Sequence, residues 1–401
     1  MQTSLAETIK ETPEGKEADR ILRACVHCGF CNATCPTYQL LGDELDGPRG
    51  RIYLIKSLLE GQTPGRATQV HLDRCLTCRS CETTCPSGVE YGRLADIGRQ
   101  EVERLVKRPF LERLFRLGLR RILPYPRRVN VLLQMARLIQ PLLPTSLSRM
   151  RARQLVNKSW PVTRHARKML VLTGCVQPAL APNINTAAAR VLDYLGITLR
   201  PAEGCCGAIS HHLAATDEAL SFARRNIDAW WPAIEQGAEA IVITASGCGA
   251  MVKDYGYLLR RDAQYAARAA RVSAIARDIS EVLAAEDLAR LKSLLRSPPR
   301  IAFHSPCTLQ HGQRLAGLTE SLLQRLGFHL TKVENSHLCC GSAGTYSLLQ
   351  RSLSRRLLLD KIEALEKDGP ALIATANIGC YQFLQEEAHV PVRHWIELLD
   401  D

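Results

Sequence analysis

The run C-x2-C-x2-C-x3-C-P occurs twice, as Cys25–Pro36 and again as Cys75–Pro86, at an offset of 50 residues. No other feature restricts the chain as strongly. Three thiols two residues apart can wrap one face of a cubane iron–sulfur cluster from a single tight loop. The fourth cysteine starts a helical segment, points away from that cluster and serves the other one. On this reading Cys25, Cys28, Cys31 and Cys85 hold one [4Fe–4S] cluster, and Cys75, Cys78, Cys81 and Cys35 hold the second. Pro36 and Pro86 set the chain direction just after each fourth ligand. Zinc is the competing metal, but zinc sites usually combine two C-x2-C pairs rather than four cysteines closed by C-P. The intervening His27, Gly29, Thr77 and Ser80 are expected to shape the loops and offer amides to sulfur.

A second, longer repeat follows. Cys175, Cys205–Cys206 and Cys248 recur as Cys307, Cys339–Cys340 and Cys380, at offsets of 132, 134 and 132. Both copies contain Cys-Cys-Gly. Adjacent cysteines cannot share one face of a strand, and Gly207 and Gly341 would let the backbone approach a metal centre closely. Short apolar runs at Met169–Leu172, Ala240–Thr244, Ile301–Phe303 and Ala371–Ala374 lead into these cysteines. Helical patterns such as Asn183–Leu195 and Asp217–Gln236 alternate with them. That alternation predicts parallel sheet covered by helices, with the cysteines in loops after the strands. The fold class is therefore α+β, mainly α with α/β parts. Four segments are expected: a two-cluster ferredoxin-like domain at 1–92, a basic helical connector at 93–167, and cysteine-rich units at 168–290 and 291–401.

Sixteen cysteines in 401 residues could also mean a disulfide framework, but such frameworks belong to small secreted chains. The N-terminal MQTSLAETIKETPEGKEADR has no apolar core and does not read as a signal peptide. A cytoplasmic setting keeps the thiols reduced and available for metal. The most apolar stretch, Val129 to Leu143, contains Arg137 and Pro141 and is too short to span a membrane.

The net charge of +12 is uneven: Tyr91 to Leu170 holds 19 Lys and Arg against 4 Asp and Glu, a net of +15. In the connector, Leu94, Ile97, Leu105, Leu111, Leu114, Phe115 and Ile122 fall at near-helical spacing. This predicts a core-facing apolar stripe with a solvated basic face. The competing reading is a docking surface carried by Arg113, Arg116, Arg120 and Arg121, for an acidic partner or an anionic membrane surface. No zinc finger or RNA-binding signature accompanies the charge, so nucleic acid is not an expected partner.

The Cys-Cys-Gly arrangement resembles the cysteine-rich domains of the heterodisulfide reductase family, whose terminal C-x2-C is absent here after Cys248 and Cys380. Over nearly the whole chain the plan resembles the iron–sulfur subunits of glycolate oxidase. The stretches that carry this are CVHCGFCNATCPTYQLLGDELDGPRGRIYLIK, HLDRCLTCRSCETTCPSG, NIDAWWPAI, SHLCCGSAGTY and TANIGC. Subunits of lactate-oxidation and anaerobic glycerol-3-phosphate dehydrogenase systems share the plan more loosely. The resemblance implies two [4Fe–4S] clusters and one or two further iron–sulfur centres in the cysteine-rich units. Cys175, Cys205, Cys206 and Cys248 would supply one such centre, and Cys307, Cys339, Cys340 and Cys380 the other. It also implies FAD-containing partner subunits that oxidise glycolate to glyoxylate, an outlet to quinone or another acceptor, and peripheral contact with the cell membrane. No G-x-G-x-x-G after a strand and no P-loop occurs, so the chain itself is expected to carry electrons and no catalytic residue. The rival reading is an enzyme that reduces a disulfide or quinone at a Cys-Cys-Gly site. His304, His311 and His337 lie near the second unit and are expected to be ordinary loop or helix residues.

Overall fold

A computed structural model describes residues 1–139, 159–162, 164–295 and 297–400. Residues 140–158 of the expected connector lie outside the described residues. By its internal contacts the chain divides into two units: 1–116 with 335–361, and 117–334 with 362–401.

The first unit is helical, and its helices start where the sequence supplies caps. The Thr12 hydroxyl accepts the Gly15 amide at 3.0 Å, and Pro13 opens Pro13–Ala24. Proline likewise opens Pro36–Leu41 and Pro48–Leu59. Ile21, Leu22, Ile55, Leu59, Leu72, Leu94 and Ile97 form the core. Helix Tyr91–Leu105 presses against Pro48–Leu59 at Gly98, where a Cβ would sit 2.6 Å from the Ile55 side chain. The two cysteine loops share one backbone conformation. His27 and Gly29 in the first, and Thr77 and Arg79 in the second, all have left-handed φ, at 59°, 87°, 54° and 59°. Three of these four are not glycine, so both loops hold strained turns that their surroundings must enforce.

Helix Phe110–Ile122 reverses the expectation for the connector. Leu94 and Ile97 are buried as expected, but Phe110 and Leu111 are 75% and 77% exposed, and Leu114 and Phe115 are also exposed. Glu112 and Arg116 are instead turned inward, on the side of the buried Leu119. Arg116 donates to Glu112 at 3.2 Å and lies 3.1 Å from Asp73, which Arg108 grips at 2.6 and 2.9 Å. Amphipathic spacing shows that a helix has two faces. Here a buried ion cluster, anchored by an aspartate far back in the chain, decides which one turns in.

The second unit carries the duplication in three dimensions. Strands β1 (Arg167–Leu172), β2 (Ile197–Ala202), β3 (Ile241–Ile243) and β4 (Ala276–Asp278) form a parallel sheet in the order β2-β1-β3-β4. Strands β5 (Arg300–His304), β6 (His329–Leu330), β7 (Leu372–Thr375) and β8 (Val392–His394) repeat that order as β6-β5-β7-β8. The four apolar runs became β1, β3, β5 and β7, and the two helical patterns became Asn183–Tyr194 and Thr216–Glu235. The two sheets meet at the carboxyl ends of β3 and β7. Ser246 N–H donates to Ala376 O at 3.1 Å, Gly247 N–H to the Asn377 side chain at 3.2 Å, and buried His394 contacts Thr244 O at 2.8 Å. Ligands in open parallel sheets gather at such carboxyl ends.

Candidate metal centres

The strained loops of the first unit enclose two pockets. One has about 430 Å³ of empty space and is lined by Cys25, Cys28, Cys31 and Cys85, with Cys81 on its wall. The other has about 380 Å³ and is lined by Cys35, Cys75, Cys78 and Cys81. Each pocket therefore brings together three cysteines of one motif and the last of the other, the crossed sets read from the sequence. Cys81, Tyr91 and Pro48 line both.

The chemistry of these thiols suits metal. Burial pushes Cys31 up to about 11, with Cys25 adding to the effect. Burial pushes Cys81 well up, and Cys78 adds to it. Cys75 goes the other way. Burial would raise it, but Arg51, Arg99, the Thr77 amide at 3.4 Å and the Tyr91 hydroxyl at 3.7 Å bring it below the ordinary thiol value. One thiol in each set, Cys31 in the first and Cys81 in the second, resists ionising in its apolar surroundings, and a cation is the missing partner of such a thiol. The residues present fit [4Fe–4S] groups, which need four thiolates each.

The cysteines of the first Cys-Cys-Gly unit, all in the second unit of the fold, also converge. Cys175 follows β1, Cys205 and Cys206 follow β2, and Cys248 lies in helix Ser246–Lys253 after β3. Their thiols form a chain of contacts: Cys205 accepts from Cys175 and Cys206, and Cys206 pairs with Cys248. Those thiol donors, more than the Gly207 amide and Arg225, pull Cys205 down to about 4. Cys175 and Cys206 are pushed up, first by the same pairing and then by burial. Four sulfurs, one of them already favouring the thiolate, are a fitting donor set for a soft metal centre. Sequence reasoning missed what holds them. Asn226 donates to Cys205 O at 2.8 Å and to the Tyr255 hydroxyl at 2.9 Å, and Tyr255 donates to Cys206 O at 2.9 Å. A Cβ on Gly204 would stand 2.2 Å from the Asn226 side chain, so only glycine lets the chain pass there. Asn226 lies within the quoted stretch NIDAWWPAI, which was the available signal.

The second repeat is distributed differently. Cys307 and Cys380 belong to the second unit of the fold, whereas Cys339 and Cys340 belong to the first. Cys307 immediately precedes a π-helical turn, Thr308–Gly312, a conformation frequent at functional sites. Cys380 accepts a hydrogen bond from Asn377 at 3.4 Å. His304 is buried at the end of β5, with Nδ1 3.0 Å from the Thr375 hydroxyl, and His311 is buried in the π turn. In the first unit, Cys339 accepts the Gly341 amide at 3.4 Å, and Ser354 donates to Gly341 O at 2.8 Å. His337 is partly buried there, and that burial lowers its pKa.

The comparisons with known proteins align with these positions. Residues 21–89 match the 4Fe-4S dicluster domain, and residues 169–253 and 301–385 match the cysteine-rich domain. The glycolate oxidase iron-sulfur subunit of Escherichia coli is 56% identical over 403 residues, covering 100% of this chain and 98% of that protein. The probable glycolate oxidase iron-sulfur subunit of Bacillus subtilis is 30% identical, covering 89% of this chain and 86% of that one. The lactate utilization protein A of Bacillus subtilis is 24% identical and covers 58% of this chain.

Proposed function

The chain belongs to the family of glycolate oxidase iron–sulfur subunits, and from that premise we propose the route its electrons take: from flavin in partner subunits, through its clusters, to quinone in the membrane. It is an electron-transfer subunit of an oxidoreductase complex and carries two [4Fe–4S] clusters. Cys25, Cys28, Cys31 and Cys85 are assigned to one, and Cys75, Cys78, Cys81 and Cys35 to the other. Cys175, Cys205, Cys206 and Cys248 are assigned to a further iron–sulfur centre.

The observation that carries the relay is the shared wall. Cys81, Tyr91 and Pro48 line both pockets, so little protein separates the two. Bound clusters supply one-electron transfer. Conversion of glycolate to glyoxylate releases two electrons and two protons, which calls for a flavin to accept the pair and release electrons singly. The chain's residues hold the thiolates, screen them from water and set the charge around them. The full-length B. subtilis and E. coli relatives favour glycolate over lactate, because the lactate relatives match only part of the chain. The test compares the purified chain with the same chain copurified with its flavin-bearing partners. The complex should reduce a quinone analogue with glycolate, and the chain alone should not. Glycolate-dependent dye reduction by the single chain would overturn the relay.

Among the described residues no helix is long and apolar enough to cross a membrane. Attachment to the cytoplasmic face is assigned to helix Phe110–Ile122. Exposed Phe110, Leu111, Leu114 and Phe115 stand beside exposed Lys107, Arg113 and Arg121, the composition of a helix that lies in an anionic bilayer surface. Arg116 and Arg120 are instead engaged within the protein, with Asp73 and Glu218. The complex should sediment with phosphatidylglycerol vesicles and not with phosphatidylcholine vesicles. Phe110→Ser with Leu111→Ser should weaken this about tenfold or more, with iron content unchanged. Unchanged sedimentation would assign that face to a partner subunit.

A further inference from the structure

Arg51 is the fourth residue of helix Pro48–Leu59, in its first turn, with a side chain 1% exposed. A buried guanidinium is costly unless its hydrogen bonds and its charge are both used. Its bonds are accounted for: Nε donates to His71 O at 2.8 Å, and Nη2 to the Thr37 hydroxyl at 3.1 Å and to Asp46 at 3.5 Å. Its charge is only partly neutralised. Asp46, also fully buried, is shared with Arg74 at 2.7 Å and His71 at 3.0 Å. One carboxylate therefore serves two arginines. The surplus positive charge lies against the second pocket, where Nη1 is 4.0 Å from the Cys35 sulfur and Arg51 is itself a lining residue. Arg99 adds to it, donating to Cys75 O at 2.6 Å and to the Thr77 hydroxyl at 2.8 Å.

The first pocket is built otherwise. Its lining arginine, Arg49, has a side chain 36% exposed and is paired one to one with Glu44 at 2.6 Å. That cation is neutralised locally and screened by water.

We propose that Arg51 holds the cluster of the second pocket at a higher reduction potential than that of the first, and so sets the direction in which electrons run between them. This rests on the ligand assignment above. When one electron from a reduced flavin reaches the second cluster, that cluster gains one negative charge; no proton moves and no bond breaks. A permanent positive charge a few ångströms away, in surroundings of low dielectric, stabilises the reduced form over the oxidised one. Hydrogen bonds to cluster sulfur act in the same direction, and Cys75 receives them from Thr77 N–H and the Tyr91 hydroxyl. Arg51 touches neither substrate nor flavin; it is a positioning residue that acts through Cys35 and Cys75.

The experiment is an EPR-monitored redox titration of the full chain, with the second cluster's signal identified as the one lost in Cys78→Ser. Arg51→Gln should shift that signal's reduction equilibrium about tenfold or more towards the oxidised form, a fall of about 59 mV or more for one electron. Arg51→Lys should restore most of the loss, and the first cluster should titrate as before. Iron content is measured alongside. If Arg51→Gln does not retain its iron, Arg74→Gln decides, because that side chain is 32% exposed and its loss leaves Arg51 as the one arginine paired with Asp46, beside His71. It should shift the same signal in the same direction. An unshifted second signal in the iron-replete variant, or equal shifts in both clusters, overturns the proposal. A wild-type chain with no [4Fe–4S] signal overturns the ligand assignment itself, a failure distinct from the first.

Discussion

Cys78→Ser should remove about four of the eight or more iron atoms in the anaerobically purified chain, and Cys28→Ser should remove the other four-iron signal. Cys78 lines only the second pocket and Cys28 only the first. Each substitution takes one thiolate from a four-thiolate set, and serine oxygen is a poorer partner for iron than cysteine sulfur. Either should break the relay. Glycolate-driven quinone reduction by the complex is expected to fall by about a hundredfold or more, the upper range for loss of metal-site support. A dye that accepts electrons directly from the flavin should still be reduced. Cys81→Ser should disturb both signals, because that side chain lies on the common wall. Cys205→Ser should spare both and lower total iron by a separate increment. Stoichiometric zinc in place of iron, or intact signals in Cys28→Ser and Cys78→Ser, would refute the assignment.

Asp73→Ala should destabilise the cluster-bearing unit by about 3–5 kcal/mol, the usual result of removing one partner from a buried ion pair. The Asp73 side chain is 13% exposed and its partners Arg108 and Arg116 are 7% and 12% exposed. Without the carboxylate, two buried guanidinium groups face each other with only Glu103 and Glu112 to balance them. Denaturant unfolding followed by cluster absorbance reads the loss. The pH dependence follows from the direction of the shift. Burial alone would raise the Asp73 pKa, but Arg108 and Arg116 more than offset it and hold it below the ordinary carboxylate range. A lowered pKa contributes stability that is complete above the unfolded value of about 3.9 and is lost only as pH falls through the folded value. The difference between wild type and Asp73→Asn should therefore stay constant from about pH 6 to 8. A difference that shrinks across that window would show that Asp73 is not the ionised centre of this cluster.

What could be read from the sequence depended on whether a residue announces its own role. Cysteine spacing does, because ligation demands fixed intervals; the crossed pockets and the convergence of Cys175, Cys205, Cys206 and Cys248 follow from it. Apolar runs of three to five residues marked β1, β3, β5 and β7. Strands β2, β4, β6 and β8 carry no such run: Ile197–Ala202 contains Arg200 and Pro201, and His329–Leu330 is two residues long. Their strand character comes from pairing beside a central strand. Arg51 and Tyr255 were hidden for another reason, and Asn226 was marked only by the family-like stretch that contains it. A buried polar residue is defined by partners distant in sequence, and nothing local distinguishes it from a surface one. The outward apolar face of Phe110–Ile122 was hidden in the same way, since Asp73 lies far upstream of Arg108 and Arg116.

The crossed cysteine sets also bear on how the chain matures. Under the proposed ligation each inserted cluster ties residues from motifs 50 positions apart, so each closes a loop of about that length. A single such tether removes about 4 kcal/mol of loop-closure entropy from the unfolded chain, by analogy with a disulfide across the same span. Both tethers close over the same intervening helices, Pro36–Leu41, Pro48–Leu59 and Arg66–Asp73. The second insertion therefore finds its loop already closed by the first, and meets a smaller entropic cost. Cluster loading becomes a cooperative step of folding: the second cluster should enter more readily than the first, and the single cluster left in Cys28→Ser or Cys78→Ser should be lost to oxidant sooner than either cluster of the fully loaded chain.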